Sequence, residues 1–120
     1  MKSNFEGIRI YALKNNKFNR GSAVTIPGIG IFIGIKQINN TGLLRHEFGH
    51  ILQSRQKGIL FYWLRIAPVS LWSAFRSVLD KKHIHMNTWT ELSANRLSYE
   101  YFEQPANWDF NRYPVHSSRD

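Results

Sequence analysis

The sequence predicts an α+β fold in which a small antiparallel sheet precedes several helices within one domain. Isoleucine occupies every second position from Ile29 to Ile35, which is the period of two expected of a β-strand. Beyond residue 40, apolar residues recur at the spacing of amphipathic helices. A chain of 120 residues with 42% apolar content can build one hydrophobic core but not two.

The remaining elements are bounded by residues that favour turns or helix ends. Asn39, Asn40 and Thr41 offer N-caps for the first helix, and Gly58 stops it. Pro105 ends the last helix. The predicted elements are strands at 8–13, 23–26 and 29–35 and helices from about 41 to 57, 68 to 79 and 89 to 102. We predict one domain over residues 1–104 and an irregular tail over 105–120.

Charge and cysteine content narrow the function classes. The chain has 16 Lys and Arg against 8 Asp and Glu, and 13 of those cations but only three of the acids lie in residues 1–82. The positive electrostatic field of these cations favours anionic partners. Nucleic acid is disfavoured because no recognised nucleic-acid-binding motif accompanies the dispersed cations. The absence of cysteine excludes thiolate chemistry, so a metal would be held by His and carboxylates.

The most apolar stretch, residues 59–79, has two interpretations. Arg65, Pro68 and Arg76 interrupt it, so it is too short to span a bilayer. It forms either a core helix with a connection, or an interfacial segment with Trp63, Trp72, Tyr62 and the two Arg at the headgroups of a membrane. The chain opens without a secretory signal pattern. We therefore expect a cytoplasmic protein, with peripheral membrane contact as the open alternative.

A metal-binding pattern lies inside the first predicted helix. The segment His46-Glu47-Phe48-Gly49-His50 is H-E-x-x-H. Two His four residues apart project from one side of a helix, so both imidazoles can reach one zinc ion. Glu47 stands beside them, where it can accept a proton from metal-activated water. The pattern predicts a zinc site with His46 and His50 as ligands and Glu47 as a catalytic base.

Glu91 on the last predicted helix is the expected third ligand. Helical spacing places Glu91 and Asn95 along one edge of that helix, towards packed surface where a carboxylate needs a partner. A competing hypothesis is a capping box, in which Glu91 bonds back to the amide of Thr88. The two hypotheses predict different surroundings for the Glu91 carboxylate.

Together the two motifs resemble the gluzincin metallopeptidases, the thermolysin-like clan. H-E-x-x-H followed on a later helix by E-x-x-x-D is the pattern of that clan, and here Asn95 stands where the pattern has Asp. More narrowly, H-E-F-G-H-I-L-Q-S from His46 and W-T-E-L-S-A-N from Trp89 are similar to motifs of small bacterial proteins of this type. The resemblance implies zinc held by His46, His50 and Glu91, with the residue at 95 orienting a zinc-bound His.

The resemblance also implies an activity and further residues. It implies a hydrolase acting on peptide or protein substrates, and a donor to the developing oxyanion, for which His83, His85 and Tyr99 are the candidates. We expect the strand at 29–35 to hold an extended substrate along its edge. We also expect Asn95→Asp to strengthen metal binding, because a charged acceptor makes an imidazole more basic. The rival hypothesis is a zinc-containing binding module without turnover at an anionic membrane surface or nucleic acid.

Overall fold

The computed structural model describes residues 2–14, 23–79 and 88–116 and confirms the α+β class. A four-stranded sheet forms the N-terminal part, and the helices follow it. The strands are β1 (Lys2–Phe5), β2 (Ile8–Leu13), β3 (Ala23–Ile26) and β4 (Gly30–Gly34). A 3-10 turn (Ile35–Gln37) leads to α1 (Thr41–Lys57), α2 (Ile59–Phe61), a π-helical segment (Tyr62–Ile66), α3 (Ala67–Leu79) and α4 (Trp89–Tyr101).

The sheet is mixed, so the prediction of an antiparallel sheet is wrong for its central pair. The strand order is β1-β2-β4-β3, with β2 and β4 parallel and the two outer pairs antiparallel. The cause is the tight hairpin between β3 and β4, in which Gly28 takes a φ of +89° and Ile29 N–H donates to the Ile26 carbonyl at 2.9 Å. The hairpin makes β3 and β4 antiparallel and places β3 at the outer edge of the sheet. β4 therefore lies next to β2 and runs in the same direction as β2.

The strand order also determines which edge of the sheet could hold an extended peptide. β4 is paired on both sides, by β2 and by β3, so the expectation that the strand at 29–35 offers a free edge is wrong. β3 is the edge strand of the described sheet on that side. Any strand addition next to α1 would therefore use β3.

One face of the sheet packs on α1 to form the main core. Ile31 and Ile33 of β4 are fully buried, and Ile10 of β2 lies beside them. Leu43 and Leu44 of α1 complete this cluster. The alternating isoleucines thus fix α1 against the sheet through apolar contact.

The ends of α1 follow the sequence prediction. Asn40 Oδ1 accepts a hydrogen bond from Leu43 N–H at 3.2 Å, which caps the first turn. Gly58, with a φ of +92°, donates its N–H to the Ser54 carbonyl at 2.9 Å and ends the helix. Both predicted caps are confirmed.

Helix α1 approaches α4 closely at Gly49. A Cβ built on Gly49 would lie 2.1 Å from the carbonyl oxygen of Ala94, so only glycine fits there. This close approach sets the distance between the H-E-x-x-H segment on α1 and the residues of α4.

The apolar stretch is helical from Ile59, nine residues before the predicted start near Pro68. The π-helical segment ends two residues before Pro68. Proline lacks an N–H and crowds the carbonyl four residues earlier, so a local widening of the helix before it is the expected adjustment. Among the described helices, none combines the length and apolar character needed to cross a bilayer.

Candidate metal centre

The fold brings together the three residues predicted as metal ligands. Glu91 Oε1 lies 3.1 Å from His46 Nε2 and 3.2 Å from His50 Nε2. All three ligand atoms lie within 4.8 Å of one another. The three residues are buried, with exposed fractions of 2% for His46, 5% for His50 and 1% for Glu91.

The spacing and chemistry of these atoms fit a zinc ion. Tetrahedral zinc binds nitrogen and oxygen donors at about 2.0–2.1 Å, which places neighbouring donors about 3.3–3.4 Å apart. The distances of 3.1 and 3.2 Å from Glu91 Oε1 to the imidazoles are close to that separation. Two imidazoles and one carboxylate are also a known ligand set of zinc sites that keep a fourth position open.

Asn95 fixes the orientation of the His46 ring. The Asn95 amide nitrogen donates to the carbonyl of Pro114 at 2.9 Å, so its oxygen must face the other way. That oxygen lies 2.6 Å from His46 Nδ1, which therefore carries the proton and donates. The lone pair of neutral His46 is left on Nε2, the atom that faces Glu91.

Gln53 fixes the orientation of the His50 ring in the same way. Its amide nitrogen donates to the carbonyl of Thr90 at 2.6 Å, and its oxygen accepts from His50 Nδ1 at 2.8 Å. Both imidazoles thus direct Nε2 at one carboxylate oxygen, an arrangement that requires a cation or a proton between them. In the metal-free protein burial acts to lower the pKa of His50, but the charge and hydrogen bond of Glu91 outweigh it and raise the pKa to about 9.

The second oxygen of Glu91 is held from two sides. Ser70 of α3 donates to Oε2 at 2.7 Å, and the Thr90 hydroxyl donates to it at 3.1 Å. The hydroxyl of Thr88 makes no capping bond and instead pairs with the hydroxyl of Ser73. The surroundings of the Glu91 carboxylate are therefore those expected of a ligand rather than those of a capping box.

Glu47 lies beside the three atoms without joining them. Thr25 of β3 donates to Glu47 Oε1 at 2.7 Å, which leaves Oε2 3.7 Å from His46 Nε2. Because Thr25 also donates to the Glu47 carbonyl at 3.2 Å, β3 and α1 are joined at this residue. A carboxylate in this position can accept a proton from a group held at the centre.

Two tyrosines flank the centre, and sequence reasoning missed both as site residues. The Tyr62 ring lies 6.2 Å from the His50 ring, and the Tyr113 ring stacks on His46 at 5.5 Å. Burial, followed by the negative charges of Glu47 and Glu91, raises the pKa of Tyr62, so its phenol stays protonated at neutral pH. No local spacing links either tyrosine to H-E-x-x-H, because the fold alone brings them near.

The three residues predicted as oxyanion donors have different outcomes. His83 and His85 lie outside the described residues. Tyr99 packs its ring against Trp108 and Phe110, with ring centroids 5.3 Å apart in each case. That contact ties α4 to the segment after it, the predicted tail, in which Trp108 and Tyr113 are buried.

The comparisons with known proteins add no family. A scan against protein-family models and searches of curated proteins and solved structures found no match to this chain. What stands is a buried group of His46, His50 and Glu91 on two helices, which is consistent with an H-E-x-x-H type of metal site.

The structure changes the expected result at Asn95. In Asn95→Asp a carboxylate oxygen would face the Pro114 carbonyl in place of an N–H donor, within a fully buried site. We expect this variant to bind zinc no more tightly than the wild type and to lose about 1–3 kcal/mol of unfolding free energy. Asn95→Leu should bind zinc about 10- to 100-fold more weakly. Chelator competition and denaturant unfolding measure the two effects.

Asn107 provides the control, since it is exposed and bonds to Arg45. The Asp and Leu substitutions at Asn107 should leave zinc affinity unchanged. Tighter zinc binding by Asn95→Asp would restore the expectation drawn from the sequence. Unchanged zinc affinity in both Asn95 variants would remove this residue from the site.

Proposed function

We propose that the protein is a zinc-dependent metallopeptidase that hydrolyses peptide bonds with Glu47 as general base. The observation that supports it most is the convergence of His46, His50 and Glu91 on one point, with a Glu47 carboxylate oxygen 3.7 Å from His46 Nε2. A purely structural zinc site has no need of this additional carboxylate.

The chemistry divides between the ion and the side chains. Zinc, when bound, supplies a Lewis acid that polarises a carbonyl and lowers the pKa of water to about 7. Glu47 takes one proton from the attacking water as the new carbon–oxygen bond forms. It then gives that proton to the amine nitrogen as the carbon–nitrogen bond breaks. Thr25 holds Glu47 Oε1 and leaves Oε2 for this transfer.

Tyr62 is the proposed donor to the oxyanion. Its ring lies beside His50, and its raised pKa keeps a proton on the phenol. A hydroxyl so placed can donate to the negative oxygen that develops during attack on a carbonyl.

The edge of β3 is the proposed substrate strand site. β3 lies at the edge of the described sheet, and Thr25 on it contacts Glu47. An extended peptide added along that edge would pass the carboxylate that acts as base. We therefore propose an extended peptide or an unfolded protein segment as the substrate.

A second candidate function rests on the burial of the site. The three ligands are at most 5% exposed, which is closer to a structural zinc site than to an open cleft. A zinc-containing binding module without turnover, at an anionic surface, would have this feature. The two functions predict the same metal content and different chemistry.

The test combines metal analysis with cleavage of a peptide mixture followed by mass spectrometry. We expect one zinc per chain, cleavage that stops with a chelator and returns with zinc, and a rate at least about 10²-fold lower in Tyr62→Phe at equal zinc content. Stoichiometric zinc without any cleavage would favour the binding module. A chain that takes up no zinc would contradict both candidates.

A further inference from the structure

The segment from Ile59 to Leu79 carries an exposed apolar surface. Nine of its large side chains are at least 38% exposed, and Leu60, Leu64, Leu71 and Leu79 reach 66–71%. We call this set the outer apolar face. It consists of Ile59, Leu60, Phe61, Trp63, Leu64, Leu71, Trp72, Phe75 and Leu79. An exposed apolar set of this size is typical of an interaction site.

Helix α3 has its large apolar side chains on the outward side. On α3 the exposed residues Leu71, Trp72, Phe75 and Leu79 fall within a sector of about 100°, whereas Ser70 and Ser73 lie on the other side. The inward side is small and polar, and Ser70 bonds to Glu91 there. The interpretation of 59–79 as a core helix holds for Tyr62, Ile66 and Ala67, which form a buried cluster. It is wrong for the side chains of the outer apolar face.

The charged residues in the sequence from 48 to 79 all have one sign. Exposed Lys57, Arg65 and Arg76 accompany the outer apolar face, and no Asp or Glu occurs in the sequence between Glu47 and Asp80. A hydrophobic protein partner would be matched by the apolar side chains alone. Here cations are interspersed among exposed Trp and Leu side chains. Such a surface is complementary to one that has an apolar interior and negative charges at its boundary.

We propose that residues 59–79 dock on an anionic lipid bilayer, with the outer apolar face inserted at the level of the headgroups. The exposed Trp63 and Trp72 have the ring type enriched at membrane interfaces. Arg65 and Arg76 would contact lipid phosphates or carboxylates. The segment lies on the membrane without crossing it, in agreement with the length of the described helices. Docking of this kind requires neither zinc nor hydrolysis.

The experiment uses the full chain and vesicles of phosphatidylcholine, alone or with phosphatidylserine, in a flotation assay. We expect binding to the anionic vesicles that falls with added salt, and a blue shift of tryptophan emission on binding. Phe75→Ser should bind about 10-fold more weakly. Phe110→Ser is the matched control because Phe75 and Phe110 are 55% and 49% exposed, and it should bind as the wild type does.

A second pair of variants tests the charges. Arg65→Gln with Arg76→Gln should weaken binding to anionic vesicles about 30-fold. Arg9→Gln with Arg96→Gln removes two exposed cations elsewhere and should have a much smaller effect. Circular dichroism confirms that each variant is folded.

Three results would overturn the proposal. One is a folded wild type that does not float with anionic vesicles, and another is equal loss of binding in Phe75→Ser and Phe110→Ser. The third is a wild-type dimer in sedimentation that Phe75→Ser converts to a monomer while vesicle binding is unchanged, because the face would then join two copies of the chain. Repeating flotation without zinc separates this proposal from the proposed function, since only the hydrolysis depends on the metal.

Discussion

Glu47→Gln is expected to abolish peptide hydrolysis while one zinc per chain remains bound. The Gln amide is nearly the same size as the Glu carboxylate, and its oxygen can still accept a hydrogen bond from Thr25. In the wild type the Thr25 hydroxyl donates to Glu47 Oε1 at 2.7 Å. The Gln amide cannot take a proton from water at neutral pH. Removal of a general base costs about 10²- to 10⁴-fold in rate. Metal analysis and peptide cleavage on the same sample measure both quantities.

His46→Ala is the contrasting variant because it removes a ligand rather than the base. It should lose stoichiometric zinc and hydrolysis together. Equal loss of zinc in Glu47→Gln and His46→Ala would show that Glu47 is itself a ligand, and the proposed roles would then be wrong. Retained hydrolysis in Glu47→Gln would assign the base to another group.

Gly49→Ala should separate the two halves of the centre. Its Cβ would lie 2.1 Å from the Ala94 carbonyl oxygen and 3.0 Å from Ala94 Cα, so α1 and α4 must move apart. The expected cost is about 1–3 kcal/mol of unfolding free energy, or more, because the obstructing atoms are backbone. Zinc affinity should fall as well, since His46 and His50 lie on α1 and Glu91 on α4.

The control for Gly49→Ala is the sign of the change in unfolding free energy. Alanine in place of glycine inside a helix with free space stabilises by about 0.5–1 kcal/mol. Denaturant unfolding of the metal-free protein therefore separates a clash from an ordinary helix effect. A stabilised Gly49→Ala variant with unchanged zinc binding would contradict the close contact between the two helices.

Local patterns predicted most of the elements, but neither β1 nor the arrangement of the strands. The limits of α1 follow from Asn40 and Gly58, whose effects act within one turn. The parallel pairing of β2 with β4 depends on where β3 lies in the sheet, and no short-range pattern of the sequence contains that information. The helical start at Ile59 was missed because Pro68 resembled a helix beginning, whereas a π-helical segment precedes it.

The centre shows the same division between local and long-range information. His46, Glu47 and His50 are spaced by one helix, so their grouping could be predicted from residue types alone. Glu91 and Asn95 were found through a second motif on another helix. Gln53 belongs to the same motif as the two His and contacts His50 from three residues further along α1. Ser70 and Tyr62 carry no motif of their own, and they contact the centre only because the π-helical segment and α3 pack around it.

The bond from Asn95 to the Pro114 carbonyl links the segment after α4 to the candidate metal centre. Synthesis proceeds from the N-terminus, so α1 is made before α4 and before Pro114. A nascent chain synthesised only as far as α1 would contain His46 and His50. It would contain neither Glu91 nor the Pro114 carbonyl that orients Asn95. The proposed binding of zinc would therefore require the synthesis of α4 as well as of α1. The orientation of the His46 ring by Asn95 would in addition require synthesis through Pro114.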